Sequence, residues 1–192
     1  MLEAISGGLL NGRFGRNFLP LPATNDLRIG ERAPDFELYC VQQARPVRLS
    51  DYLGKQPVVL AFTRIFTDKL FCPICYPHIQ DLKQHYSQLR ERGAELLVIT
   101  STDQAQSGRI VQELELESPL LVDTTCAAFR SYKLGQALGA PLPGQFVIDV
   151  RGRLRFKHLF SFADANAYSD EICAVLDHIS DAPASSSSGL VD

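Results

Sequence analysis

The chain has 192 residues, of which 45% are hydrophobic and 21% charged, with a net charge of −3; that is enough for one domain with a real core. Without a basic excess there is little to neutralise phosphates, which excludes a nucleic-acid binder, and no run approaches the ~20 apolar residues of a membrane span. Of five cysteines only Cys72 and Cys75 are close in sequence, unlike the framework of a small disulfide-stapled protein.

The opening "MLEAISGGLL" carries Glu3 and no Lys or Arg before a glycine-broken apolar patch, a poor secretory signal. With the scattered cysteines, this sets the expected location as cytoplasmic. Residues 1–28 mix Gly, Pro and isolated aromatics with no period of 2 or 3.6 and are read as an N-terminal arm, whose Phe14, Phe18 and Leu19 offer docking points to the domain or to a partner. Residues 29–181 form the expected domain, and 182–192 a flexible Ser-rich tail.

Within the domain, "PVVLAFT" (57–63) is an unbroken apolar run of strand length, as expected of a strand covered on both faces. A loop follows, then a helical pattern from Pro73 to Arg92, with Cys75, Ile79, Leu82, Tyr86 and Leu89 on one face and Gly93 as its stop. "AELLVIT" (94–100) completes a βαβ unit with a parallel strand pair. A helix over 103–115, a strand at "PLLVD", and a helix near 125–134 come next. "QFVIDV" and "RLRFKHLF" make a hairpin through Arg151–Gly152, and a helix over 166–180 closes the chain. The fold class is α/β: a thioredoxin-like fold with a central mixed sheet flanked by helices, extended at the N-terminus.

The Cys72-Pro-Ile-Cys75 segment carries the chemistry. Pro73 suits the first helical position, where its missing N–H loses no partner. Cys72 then sits beside unsatisfied N–H groups at the positive end of a helix, where thiolate is stabilised. Cys75 is one turn on, within the Cα separation that a disulfide accepts. Pro77 should loosen the first turn by removing a bond to the carbonyl of Pro73. No second ligand pair stands at zinc spacing, so no metal and no cofactor is expected. His78 and His85 are read as solvated, and His158 as a satisfied sheet residue. Cys40, Cys126 and Cys173 are read as small core residues, with a resolving role for Cys173 across subunits as the alternative. Thr67 and Lys69, in the loop before Cys72, are candidate substrate contacts.

"IGERAPDFEL", "VRLSDYLGKQPVVLAF", the cysteine motif and "PGQFVIDVRGRLRFKH" together resemble the peroxiredoxin-like branch of the alkyl hydroperoxide reductase and thiol-specific antioxidant superfamily. Against the peroxidase pattern, Lys69 occupies the position of a threonine three before the reactive cysteine, and Pro143 that of an arginine three before Phe146. The resemblance to thioredoxin-type segments implies instead that Pro143 is a cis-proline facing the cysteines. Phe71-Cys72-Pro73-Ile74-Cys75 is similar to the motif of thiol-disulfide reductases, which puts Phe71 and Pro73 at the substrate groove. Arg64 resembles an arginine of peroxiredoxin-like proteins and adds to thiolate stabilisation if it points at Cys72.

The leading expectation is thiol-disulfide exchange: Cys72 attacks a partner disulfide and Cys75 releases it. The alternatives are a thiol peroxidase, with Cys72 oxidised to sulfenic acid and Cys75 condensing with it, and a redox-sensing or assembly subunit acting through the arm. Expected partners are a protein thiol or disulfide, or a thioredoxin-type reductant, with a homodimer or an arm-bound protein as further possibilities.

Overall fold

The computed structural model of the chain describes residues 15–67 and 69–180. Phe14 and the Ser-rich tail lie outside the described residues. Strands β1 (Glu37–Cys40) and β2 (Arg45–Arg48) form a hairpin, followed by a 3-10 turn at Leu49–Tyr52 and β3 (Val58–Phe62). A small hairpin, β4 (Ile65–Thr67) and β5 (Leu70–Phe71), precedes helices α1 (Cys75–Gln84) and α2 (Tyr86–Glu91). Then come β6 (Glu95–Thr100), α3 (Gln104–Leu114), β7 (Leu120–Val122) and α4 (Ala127–Ser131). A two-residue hairpin, β8 (Gln136–Ala137) and β9 (Ala140–Pro141), leads into β10 (Gly144–Ile148), β11 (Leu154–Leu159) and α5 (Ser169–Ser180).

Seven strands form one sheet in the order β11-β10-β3-β6-β7-β1-β2. β3, β6 and β7 run parallel at its centre, and the outer pairings are antiparallel. The sheet is mixed and thioredoxin-like, as expected. Its central strands are mostly apolar because both faces are covered. Val59, Ala61, Leu96 and Val98 meet Ile79, Leu82, Ile110, Ile172 and Leu176 on one face. Leu60, Phe62, Leu97 and Ile99 meet Phe129, Tyr132 and Phe146 on the other. Phe62 is the hub of that second core, with ring centroids 4.9 Å from Phe129, 5.0 Å from Tyr132 and 5.8 Å from Phe146.

The helix expected over 73–92 is two helices. Four of its predicted apolar positions, Cys75, Ile79, Leu82 and Leu89, are buried. At His85, however, both the backbone N–H (3.1 Å) and ring Nδ1 (2.8 Å) approach the Asp81 carbonyl, and His85 leaves helical geometry with φ −103° and ψ 9°. A side chain competing for the ladder carbonyl is a recognised cause of such breaks. His78, expected in solvent, is 1% exposed, because the loop after β11 closes over it with Tyr168 against its ring.

Candidate active site

Strand β3 ends at Phe62 and leads into Thr63 and Arg64, and the β4–β5 hairpin turns the chain back so that Cys72 opens the turn before α1. The N–H groups of Cys75 and Tyr76 both donate to the Cys72 carbonyl at 3.0 Å. Pro77 has no N–H to offer Pro73, so the regular helix starts only at Cys75. This is the loosened first turn expected from Pro77. Ile74, between the cysteines, is pinned from the far side of the site. Asn166 Nδ2 donates to its carbonyl at 3.2 Å, Gln145 Nε2 donates to Asn166 Oδ1 at 3.2 Å, and the Ala167 N–H returns to Gln145 Oε1 at 2.9 Å. Gln145 and Asn166 are buried and were not among the expected site residues. The signal was a glutamine inside an otherwise apolar strand.

Cys72 and Cys75 are free thiols, 7% and 1% exposed. A hydrogen bond from the Cys75 thiol holds the Cys72 thiol well below its ordinary pKa, against the opposing effect of burial. The backbone N–H groups of Cys75 and Ile74 and the charge of Arg64 act in the same direction. The same thiol–thiolate hydrogen bond, together with burial and the nearby Cys72 charge, pushes Cys75 up. One sulfur is therefore a thiolate near neutral pH and its neighbour a proton donor.

Arg64 is buried with its guanidinium turned to the backbone of the next hairpin, where it donates to the carbonyls of Ala137 and Leu138. Its backbone N–H reaches the Cys75 sulfur. Desolvation lowers its pKa, and the charges of Cys72 and Cys75 oppose that fall. Phe71 is half-buried and packs edge-on against Tyr76, with centroids 5.3 Å apart, while Pro73 is exposed. Thr67 pairs with Leu70 in the small hairpin.

Pro143 is buried, one residue beyond the Gly144–Phe62 pair of β10 and β3, which sets it next in register to Thr63. The cis expectation for it is corrected: no peptide bond among the described residues is cis. Trans is the intrinsically preferred isomer of X–Pro, and the flanking residues are held in it by Leu142 N–H to the Gly135 carbonyl (2.7 Å) and by the ladder at Gly144. His158 Nε2 lies 3.2 Å from the Asp164 carbonyl, a satisfied sheet residue. Cys40, Cys126 and Cys173 are buried. No metal-binding cluster occurs among the described residues.

A cysteine at the head of a helix, beside the end of a central strand, is an arrangement suited to thiol chemistry. Residues 29–157 match the model of the AhpC/TSA family. The chain belongs to that family. It is a peroxiredoxin-like, thiol-dependent oxidoreductase. Among curated relatives, the chloroplastic 2-cysteine peroxiredoxin of Chattonella marina var. antiqua is 31% identical over 136 residues, covering 66% of this chain and 67% of the relative. The chloroplastic 2-Cys peroxiredoxin BAS1 of Spinacia oleracea is 30% identical over 152 residues, 71% of this chain and 54% of the relative. The chain thus spans about half the length of the spinach protein. Two solved structures share the fold. Peroxidoxin BcpB of Mycobacterium tuberculosis has a TM-score of 0.67 at 23% identity, covering 80% of this chain and 98% of that one. The reduced 2-Cys peroxiredoxin of Plasmodium vivax has a TM-score of 0.69 at 23% identity, covering 79% and 81%.

The chloroplastic relatives overturn the expected cytoplasmic setting. Scattered cysteines report a reducing compartment, and a plastid stroma satisfies that as well as a cytosol does. No helix among the described residues is long and apolar enough to cross a membrane.

Proposed function

We propose that the protein is a thiol peroxidase in which Cys72 attacks the peroxide and Cys75 resolves the product. The observation that carries this reading is the access to Cys72: the sulfur is poised as a thiolate on a residue only 7% exposed. A hydroperoxide is small enough to reach it. A disulfide on a folded partner must bring two sulfurs into line with the attacking one, which a residue so little exposed resists. The 2-Cys peroxiredoxin relatives support the same reading. Thiol-disulfide exchange, the leading expectation from the sequence, moves to second place.

The chemistry balances within the pair. Cys72 thiolate attacks the terminal oxygen of ROOH, the O–O bond breaks, and Cys72 becomes sulfenic acid while the alkoxide leaves and takes a proton from solvent. Cys75 then attacks the sulfenic sulfur; its proton leaves with the hydroxyl as water and a disulfide forms. An external dithiol of thioredoxin type returns two electrons. Lys69 and Pro143 leave the usual threonine and arginine positions empty of those groups, and Arg64 supplies a cation whose charge favours the thiolate. A plastid-type compartment is the setting that the relatives support.

Single-turnover oxidation of the reduced protein, by hydrogen peroxide and by a model protein disulfide at pH 7, tests the ranking. Peroxide should react faster by at least about tenfold, a barrier difference of ~1.4 kcal/mol. Cys72→Ser should abolish the reaction, whereas Cys75→Ser should leave a sulfenic acid that dimedone captures. A disulfide that outpaces peroxide reverses the ranking.

A further inference from the structure

We propose that residues 17–24 form a strap that positions the Arg64 guanidinium beside the Cys72–Cys75 pair, by holding the hairpin whose carbonyls grip it. This rests on the reading of Cys72 as the attacking thiol, but not on the identity of its oxidant.

The strap engages through its backbone. Leu21 and Gln136 exchange both N–H···O bonds at 2.8 Å, the Thr24 N–H donates to the Lys133 carbonyl at 3.0 Å, and the Gly139 N–H donates to the Asn17 carbonyl at 3.1 Å. Gln136 Nε2 adds bonds to the carbonyls of Arg16 and Leu19, each at 3.1 Å. Meanwhile Phe18, Leu19 and Leu21 point largely to solvent, at 53%, 71% and 57% exposed. The segment is therefore held by backbone bonds around a single β-bridge more than by buried apolar side chains, which is why it has no apolar period.

What the strap holds is strained and short. Lys133 and Leu138, at either end of the segment, have φ of 60° and 51°, a left-handed conformation that such residues keep only where surroundings over-determine it. β8 and β9 pair at only two positions, Gln136 with Pro141 and Ala137 with Ala140. Gly135 makes the close approach possible, since a Cβ there would lie 2.1 Å from the Leu21 carbonyl oxygen. From this hairpin the Ala137 and Leu138 carbonyls accept hydrogen bonds from the Arg64 guanidinium, and Arg64 itself lies one residue beyond the Ile65–Phe71 pair of β4 and β5, next in register to Cys72. Freeing the strap loosens the hairpin, and the guanidinium loses the geometry from which it acts on Cys72.

Leu21→Pro removes the N–H that bonds Gln136 while changing an exposed side chain; Leu21→Val keeps that N–H. The readout is the pH midpoint of iodoacetamide alkylation of the Cys72 peptide in the full-length reduced protein, followed by mass spectrometry. Leu21→Pro should raise the midpoint by roughly 0.5 unit or more, toward that of Arg64→Ala, and Leu21→Val should not. In the Arg64→Ala background Leu21→Pro should add nothing, as expected when one change acts through the other. Gln136→Ala, which loses only the two side-chain bonds, gives the same reading in smaller measure and serves if Leu21→Pro does not fold. A lowered melting temperature with an unchanged midpoint would overturn the proposal and leave a purely structural strap. An unchanged midpoint in Arg64→Ala would also overturn it, while undiminished peroxide oxidation in that variant would leave the peroxidase reading intact.

Discussion

The two sulfurs share one environment and yet divide its labour, because the single proton between them has to sit on one. Cys72 has the N–H groups of the first turn and Cys75 does not, so the proton stays on Cys75 and the charge on Cys72. Alkylation of Cys72 should therefore show a midpoint more than about one unit below the free-cysteine value of ~8.5. Cys75→Ala, which removes the hydrogen bond between the sulfurs, should move that midpoint up; a midpoint unmoved by the change would show that the helix turn alone sets it. His78 presents the opposite case, a base held neutral. Burial lowers its pKa from 6.5 to about 4, opposed by the Ala167 carbonyl and Asp81 and reinforced by His158. The unfolded chain accordingly takes up a proton at a higher pH than the folded one does. Stability from this residue is complete above pH 6.5 and falls as pH drops toward 4, by about 3 kcal/mol at ~1.36 kcal/mol per unit. Urea denaturation at pH 7 and 4.5 should show a steeper loss in the native sequence than in His78→Gln. Equal losses in the two would place the acid sensitivity on the carboxylates.

At the scale of elements, the joints that hold the site are made by buried acids and amides more than by apolar contact. Asp81 on α1 accepts from the N–H and Oγ of Ser169, each at 2.9 Å, and so caps the start of α5. Asp123, 2% exposed at the end of β7, accepts from the N–H groups of Ala127 (3.0 Å), Ala128 (2.8 Å) and Phe129 (3.3 Å). The five-residue helix α4 has little else to satisfy those donors, and it carries Phe129 into the ring cluster of Phe62. Asp123→Ala should cost about 2–3 kcal/mol in urea denaturation, and Asp123→Asn about half of that. A loss within the ~0.5 kcal/mol of an ordinary surface change would deny the cap any weight. Such joints are also where sequence reading fell short. β3 and β6 were legible because runs of five and four consecutive apolar residues of strand length leave few other options, and α1 because Cys75, Ile79 and Leu82 recur at helical spacing. The β1–β2 and β8–β9 hairpins are short and half-exposed, so they carry no period to read. The break at His85 and the burial of His78 depend on which carbonyl or loop is nearby, which the spacing of residues does not contain. In the site, Cys72 and Cys75 are legible from their spacing, while Gln145 and Asn166 meet only through the fold.

For the molecule as a whole, the two cores fix a sheet in which β3 leads into Arg64, while the turn that opens α1 supplies N–H groups to Cys72. The reduced state is what this frame stabilises, since the thiolate, its thiol donor and the cation are all accommodated only when the pair is open. A disulfide formed there should accordingly be oxidising, with a potential above the roughly −270 mV of thioredoxin, because a stabilised thiolate favours the reduced form. The protonation pattern makes a sharper forecast. Between the lowered pKa of Cys72 and the raised pKa of Cys75, reduction of the disulfide takes up two electrons and only one proton. Each proton taken up in a two-electron couple moves the potential by about 30 mV per pH unit, since a tenfold change in equilibrium constant is ~30 mV. The potential of the Cys72–Cys75 couple should thus fall by about 30 mV per unit from pH 6 to 8, where two ordinary thiols would give about 60 mV. Equilibration with glutathione or dithiothreitol buffers at several pH values, read by thiol alkylation and mass, measures the slope. A slope near 60 mV per unit would mean that Cys72 keeps its proton at neutral pH, and the thiolate on which both the peroxidase reading and the strap depend would have to be abandoned.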